Sequence, residues 1–416
     1  MSDWLKANSI LDWLEMDFTV SIMLLGRRAV ALRSRCLSVS TSSLSLSHLL
    51  HQSRVQFQAA NVARTDVEIV PVLNVSDFAM RVSNGVDVHD VFSIDMEDKK
   101  TLRIAKKSGG DTKVQLFLPQ SIDLHVAVAN GDVVVQDKIE GDVKVVVGCG
   151  DITVHKLRGQ MVNLKTNGGT IQVSALTEGE TVHLEASDSI QCKKLIAGKA
   201  RVKLGKEGQS NSEFGAIYAS TCSITSTDQS GETELRVGNM HGYLRVASEG
   251  LKSVQVDSVT GALEMQDSGD NCHVVAHFDS WTDNSSSSIL VGGDVRVSLQ
   301  PAAPIDVELH GTKVTVGTEC KFLSSEMDHL DDDYAVFTGE VQAQEGTLAS
   351  SSTGKINMES AKEDAMRTSF FMKQSSSDEE GGESKTSRLF VHALSGEVTM
   401  DQLNWMDNIK RKHLKR

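Results

Sequence analysis

Two aspartates, Asp132 and Asp151, hold equivalent places in NGDVVVQ and CGDITVH. Carboxylates stacked on neighbouring turns of a repeat are what solenoid enzymes use to cleave acidic polysaccharides or to hold calcium. The next equivalent position is Thr170, so the row is expected to end after two members. Asn-Gly-Asp is also ordinary turn chemistry, and the GGxGxD repeat of calcium-binding rolls is absent. A turn role is the expected one.

His155 and His183 have no Cys or His at metal-ligand spacing and no neighbouring Ser in a nucleophile elbow. GCGDIT lacks the Lys and the following helix of a phosphate loop. The six cysteines, Cys36, Cys149, Cys192, Cys222, Cys272 and Cys320, are scattered, with no CxxC pair, and read as reduced thiols. The sequence therefore offers no catalytic residue, no metal ligand and no cofactor site, which is the expectation for a protein that is not an enzyme. Ser375, Ser376 and Ser377 each precede an acidic residue by three positions, a pattern that suits an acidophilic kinase or a merely solvated run.

What positions these residues is a repeat. Val133, Ile152, Ile171 and Ile190 recur every 19 residues, and Val135, Val154, Val173 and Cys192 follow in the same register. Polar residues alternate with them at the strand period of two. A second strand per repeat is read from Val145, Leu164, Leu184 and Leu204, with Lys144, Asn163, His183 and Lys203 facing outward. Two short strands and two Gly-marked turns form one coil, whose neighbour pairs with it at about 4.8 Å. The expected fold is all-β, a parallel β-solenoid with about 19-residue coils, two short strands per coil and a short C-terminal capping helix. From Val67 to Val316 it would hold roughly 13 coils. GKEGQSNSEFG from Gly205 and WTDNSSSSI from Trp281 read as loops, while LRIAKK from Leu102 and VQLFLP from Val114 read as edge or capping strands.

The boundaries follow from composition. Residues 1–65 form a targeting or disordered leader and residues 66–320 the solenoid. Residues 321–400 form an irregular continuation with an acidic disordered loop at 374–387, and residues 401–416 a basic capping helix with Asp401 as its cap. Leu403, Met406 and Ile409 would line one face of that helix. Residues 18–65 contain no Asp or Glu yet carry six arginines among many Ser and Leu, the composition of a mitochondrial transit peptide. Translation from Met23 suits this reading, because the segment before it is acidic. A net charge of -14 argues against nucleic acid, and no apolar run approaches the ~20 residues of a membrane span. With 5% aromatic residues the core must be aliphatic.

The run NGDVVV, GDVKV, CGDITV resembles the putative-adhesin domain family, repeated short strands of no assigned function found mainly in bacterial surface proteins. The resemblance implies the fold and supplies no catalytic residues to carry over. With its arginine-rich leader, the chain is similar to a mitochondrial animal member of that family. The leading expectation is a non-catalytic scaffold or binding protein of the mitochondrion, in the matrix, with an unknown protein partner. A secreted or surface adhesin, with sugar on Asn74 or Asn284, and a carbohydrate-active solenoid enzyme are the alternatives.

Overall fold

The computed structural model describes Ser42–Leu44, residues 53–342 and residues 387–410, apart from 61–62, 74–77, 83–86, 98–99, 108, 206–209, 282–284, 302–303, 332, 405–406 and 409. Contacts divide the chain into two units, Met1–Val39 and Ser40–Arg416, and every described residue falls in the second. The acidic loop at 374–386, both Asn-x-Ser sequons, Met406, Ile409 and the basic residues 411–416 lie outside the described residues.

Apart from helical turns at Val88–Val91 and near Asp407, the regular structure described is β. The first strands are β1 (Ser42–Leu44), β2 (Arg54–Ala59), β3 (Thr65–Val72), β4 (Phe78–Val82), β5 (Phe92–Glu97), β6 (Thr101–Lys106) and β7 (Thr112–Pro119). Then come β8 (Asp123–Asn130), β9 (Val133–Glu140), β10 (Val143–Cys149), β11 (Ile152–Arg158), β12 (Met161–Thr166) and β13 (Ile171–Ala186). The later middle holds β14 (Ile190–Leu204), β15 (Asn211–Ser226), β16 (Glu234–Ser248), β17 (Ser253–Asp267), β18 (His273–Ser280), β19 (Ser286–Val291) and β20 (Val295–Leu299). Last are β21 (Ile305–Gly311), β22 (Lys313–Val316), β23 (Phe322–Asp331), β24 (Tyr334–Val341), β25 (Ser387–Ala393) and β26 (Glu397–Gln402).

These strands stack in parallel along two ladders, consistent with a solenoid. One ladder runs β7, β3, β9, β11, β13, β14, β15, β16, β17, β18, β20, β26, β22, thirteen parallel rungs in that order. The other runs β6, β2, β8, β10, β12, then the second halves of β13 to β17, then β19, β25 and β21. Alternation explains the stacking: Val133, Ile152, Ile171 and Ile190 pair in register and all are fully buried, while Thr153, Gln172 and Gln191 lie between them on the outer side. A strand this short buries its apolar side only when rungs above and below cover it, and the same stacking pairs its backbone groups.

Several expectations need correction. The two short strands per coil are separate up to β12 and again from β18 onward; β13 to β17 are each a single strand of 15 or 16 residues. Gly141 and Asp142 interrupt pairing at the corner before β10, whereas in β13 the corner itself stays paired, Gly179 with Ala197 and Thr181 with Lys199. In the second column, Val145, Leu164 and Leu184 stack as expected, but Leu184 pairs with Val202 and Leu204 pairs with Ala186. A slip of two keeps the same face inward, so periodicity alone does not reveal it. The expected loops are shorter than drawn, because β15 begins at Asn211 and the serine run from Ser286 is a rung.

The ends also differ. β6 and β7 are interior rungs, each with a parallel partner on one side and an antiparallel one on the other: β5 flanks β6 and β4 flanks β7. The coil of β2 and β3 inserts between β6/β7 and β8/β9, so the regular coils reach back to Arg54, and β1 pairs antiparallel with β4; Arg54 and β1 both lie inside the segment 1–65 assigned to the leader. At the other end the coil of β25 and β26, the last regular one described, inserts between β19/β20 and β21/β22. Residues 322–341 are no irregular continuation but an antiparallel hairpin, β23 with β24, laid on β21. Asp401 is a strand residue, not a helix cap; the turn after it starts at Asn404, whose Oδ1 accepts from Asp407 N at 2.9 Å. Among the described residues no helix is long and apolar enough to cross a membrane.

Candidate functional site

Asp132 and Asp151 are brought together, and their carboxylates are occupied by backbone. Asp132 Oδ1 accepts from Asp151 N at 2.9 Å, and Asp151 Oδ1 accepts from Thr170 N at 2.8 Å. Inserted β3 extends the row backwards, since Asp66 Oδ1 accepts from Asp132 N at 3.1 Å. The row therefore does not end after two members. The same device returns at Asp294, whose Oδ1 accepts from Glu397 N of the inserted coil at 2.9 Å. Glycine sets the corner: Gly131 and Gly150 have φ of 140° and 139°, and a Cβ on Gly150 would lie 2.2 Å from the Gly131 carbonyl oxygen. Arg64 spans Asp66 and Asp132, and those two carboxylates push its pKa up, Asp132 most.

The two histidines singled out by the sequence stay apart on outer faces. His155 Nδ1 lies 2.9 Å from Ser174 Oγ, and His183, with its pKa lowered chiefly by burial, stacks between Asn163 and Arg201. Burial pushes the thiols of Cys192, Cys222 and Cys272 up to about 12 and that of Cys320 to about 11, far from reactive thiolates. All five described cysteines are unbonded. No group of three or more His, Cys, Asp or Glu among the described residues is placed to hold a metal.

A Ser, His and Asp do meet, unforeseen from the sequence. His277 Nδ1 lies 2.8 Å from Ser298 Oγ, and its Nε2 lies 3.1 Å from Asp279 Oδ1, while Ser258 donates to the other oxygen of Asp279. His277 and Ser298 are both fully buried, so no substrate reaches them and the chain of hydrogen bonds braces adjoining rungs.

One place with room for a ligand is the outer face of β19, β25, β21, β24 and β23, where the hairpin joins the stack. Three rows cross these five strands in register. The first is Ser286, Arg388, Asp306, Glu340, Ser324 and the second is Ser288, Phe390, Glu308, Thr338, Glu326. The third is Leu290, His392, His310, Val336, Asp328. The first two rows, Ser288 apart, line a cleft of about 540 Å³. Four of its side chains, Asp306, Glu308, Glu326 and Glu340, are acids, against one base, Arg388.

At its rim Glu308 Oε1 lies 2.8 Å from His310 Nε2, His310 Nδ1 lies 3.1 Å from Tyr334 Oη, and Tyr334 Oη lies 3.1 Å from His392 Nε2. With neutral imidazoles the chain has one consistent direction. His310 Nε2–H donates to the carboxylate, Tyr334 O–H donates to His310 Nδ1, and His392 Nε2–H donates to the tyrosine. Burial, and then His310, lower the pKa of His392. The Phe390 ring lies 5.3 Å from that of His310. Carboxylates beside aromatic rings suit cationic side chains, through charge-assisted hydrogen bonds and cation–π contact.

No family model matches the chain, and no curated protein matches it. Solved structures of low likeness were found. A putative adhesin from Bacteroides fragilis is 12% identical with a TM-score of 0.29, covering 58% of this chain and 96% of its own. One from Parabacteroides distasonis is 13% identical with a TM-score of 0.29, covering 63% and 94%. A putative cell adhesion protein from Clostridium sporogenes is 7% identical with a TM-score of 0.16, covering 88% and 98%. At these values the likeness says nothing about activity.

The sequence reading missed this face because its members lie on segments up to about a hundred residues apart, joined by the inserted coil and by the hairpin laid on β21. One signal was available. Asp306, Glu308 and His310 alternate in DVELH, and Arg388, Phe390 and His392 alternate in RLFVH, so each triplet occupies one strand face.

Proposed function

We propose that this chain is a non-catalytic scaffold or binding protein of the mitochondrion, in the matrix, that holds a protein partner against the acidic and aromatic face around Glu308 and Phe390. The observation that carries the reading is the registration of three side-chain rows across β19, β25, β21, β24 and β23, which converts alternation in five separate strands into one continuous surface. Paired strands, four of the five with a partner on both sides, pre-organise such a surface, so little ordering entropy is lost when a partner docks. The carboxylate-free, arginine-bearing segment at 23–65 supports the compartment.

Because β2 is paired on both sides, processing should occur before Arg54. A fluorescent fusion of residues 23–52 is expected in mitochondria, and delivery to the secretory pathway or retention in the cytosol would overturn the compartment. Proximity labelling from the full chain, compared with a Glu308→Lys/Phe390→Ala variant of equal abundance, tests the surface. Loss of specific labelled proteins in the variant supports it, and an unchanged set refutes it.

A further inference from the structure

Among the described residues β23 pairs only with β24, so its other edge presents a row of backbone donors and acceptors. Its two faces differ. Ser324 and Glu326 point into the acidic cleft, and Asp328 continues the same side. On the side of the buried Phe337 lies Met327, 40% exposed, and Leu323 at the adjoining register shift is 61% exposed. Isolated exposed apolar residues need no explanation, but here they sit where the apolar column ends at a strand paired on one edge only among the described residues.

We propose that β23 is a strand-addition site for an extended segment of another protein in which basic and aliphatic residues alternate. This rests on the binding-protein reading above and names the partner's chemistry. Main-chain pairing to the free edge supplies the geometry. Alternation in the added strand then sends its Lys or Arg side chains to Glu326, Asp328 and Glu340, and its aliphatic side chains to Met327 and Leu323. The charge of the edge excludes the obvious self-partner. A second copy would bring Glu326 and Asp328 against the same acids, which destabilises a pairing. Phosphate backbones are repelled for the same reason.

The test uses the full chain and a fluorescent peptide of alternating Lys and Val, read by anisotropy. A Glu and Val peptide is the charge control. Two further Lys and Val peptides are N-methylated on one or the other set of alternate residues, which removes donors from one edge at a time. The Lys and Val peptide is expected to bind and the Glu and Val peptide not. Glu326→Lys/Glu340→Lys should weaken binding about tenfold or more, with the denaturation midpoint confirming that the variant is folded. Asp95→Lys/Glu97→Lys, on the other acidic edge strand β5, should leave it unchanged. One methylated peptide should fail and its counterpart bind.

Equal binding of both charge types, equal behaviour of the two methylated peptides, or self-association of the chain in place of peptide binding would overturn the proposal. If the peptide does not bind while proximity labelling still depends on Glu308 and Phe390, this inference fails and the binding-protein reading stands.

Discussion

Asp132 Oδ1 accepts a hydrogen bond of 2.9 Å from the backbone N–H of Asp151, its equivalent nineteen residues later. What this bond needs is an oxygen acceptor, not a negative charge. Asp151→Asn keeps such an oxygen and should leave the denaturation midpoint almost unchanged. Asp151→Ala removes the acceptor of Thr170 N and should cost about 1 kcal/mol. At Asp132 the Asn change also removes the ion pair to Arg64, an exposed contact of small worth. Appearance of a glycan-cleaving activity that the double Asn variant loses while still folded would refute the turn role.

Ile171 and Gln172, adjacent in sequence, should differ sharply. Ile171 is fully buried between Ile152 and Ile190, so Ile171→Asp removes apolar burial and strands a carboxylate, a loss of several kcal/mol, about 3 to 5. Gln172→Asp stays in water beside Thr153 and Gln191, with an expected loss of about 0.5 kcal/mol. Denaturant midpoints decide it, and equal losses would contradict the register.

Acid should loosen the hairpin. The pKa of His392 is lowered in the fold, so its unfolded form takes up a proton more readily than its folded form. The stability tied to its neutral state is complete above the unfolded value of about 6.5 and is lost as pH falls from there towards the folded value. Protection from hydrogen exchange at Tyr334–Val341, corrected for the intrinsic pH dependence, is expected to fall between about pH 7 and 5, and less so in His392→Gln. Rates that do not respond to pH beyond the intrinsic chemical dependence would argue against this.

The last regular coil should remain in place after the chain is cut. β25 pairs with β19 and β21, and β26 pairs with β20 and β22, so a specific protease site introduced within 343–386 should yield two fragments that co-elute under native conditions and separate in denaturant. Release of the C-terminal fragment without denaturant would mean that the inserted coil is weakly held.

The sequence by itself determined the rung. Alternation of Val133, Ile152, Ile171 and Ile190 with polar residues, a Gly-Asp corner and a nineteen-residue spacing fix which side chains face inward, because a strand has only two faces and one of them must be buried. Local rules of that kind cannot say which rung stacks on which. The tertiary structure alone decided that β2/β3 and β25/β26 insert between coils distant in the chain, that the second column slips by two at Val202, and that Glu308, Tyr334, Phe390 and His392 share one surface. The physical reason is that parallel aliphatic rungs are nearly interchangeable as partners. Order along the stack is therefore settled by the sum of contacts over whole coils and by where the antiparallel hairpin can end it, neither of which is written in any short segment.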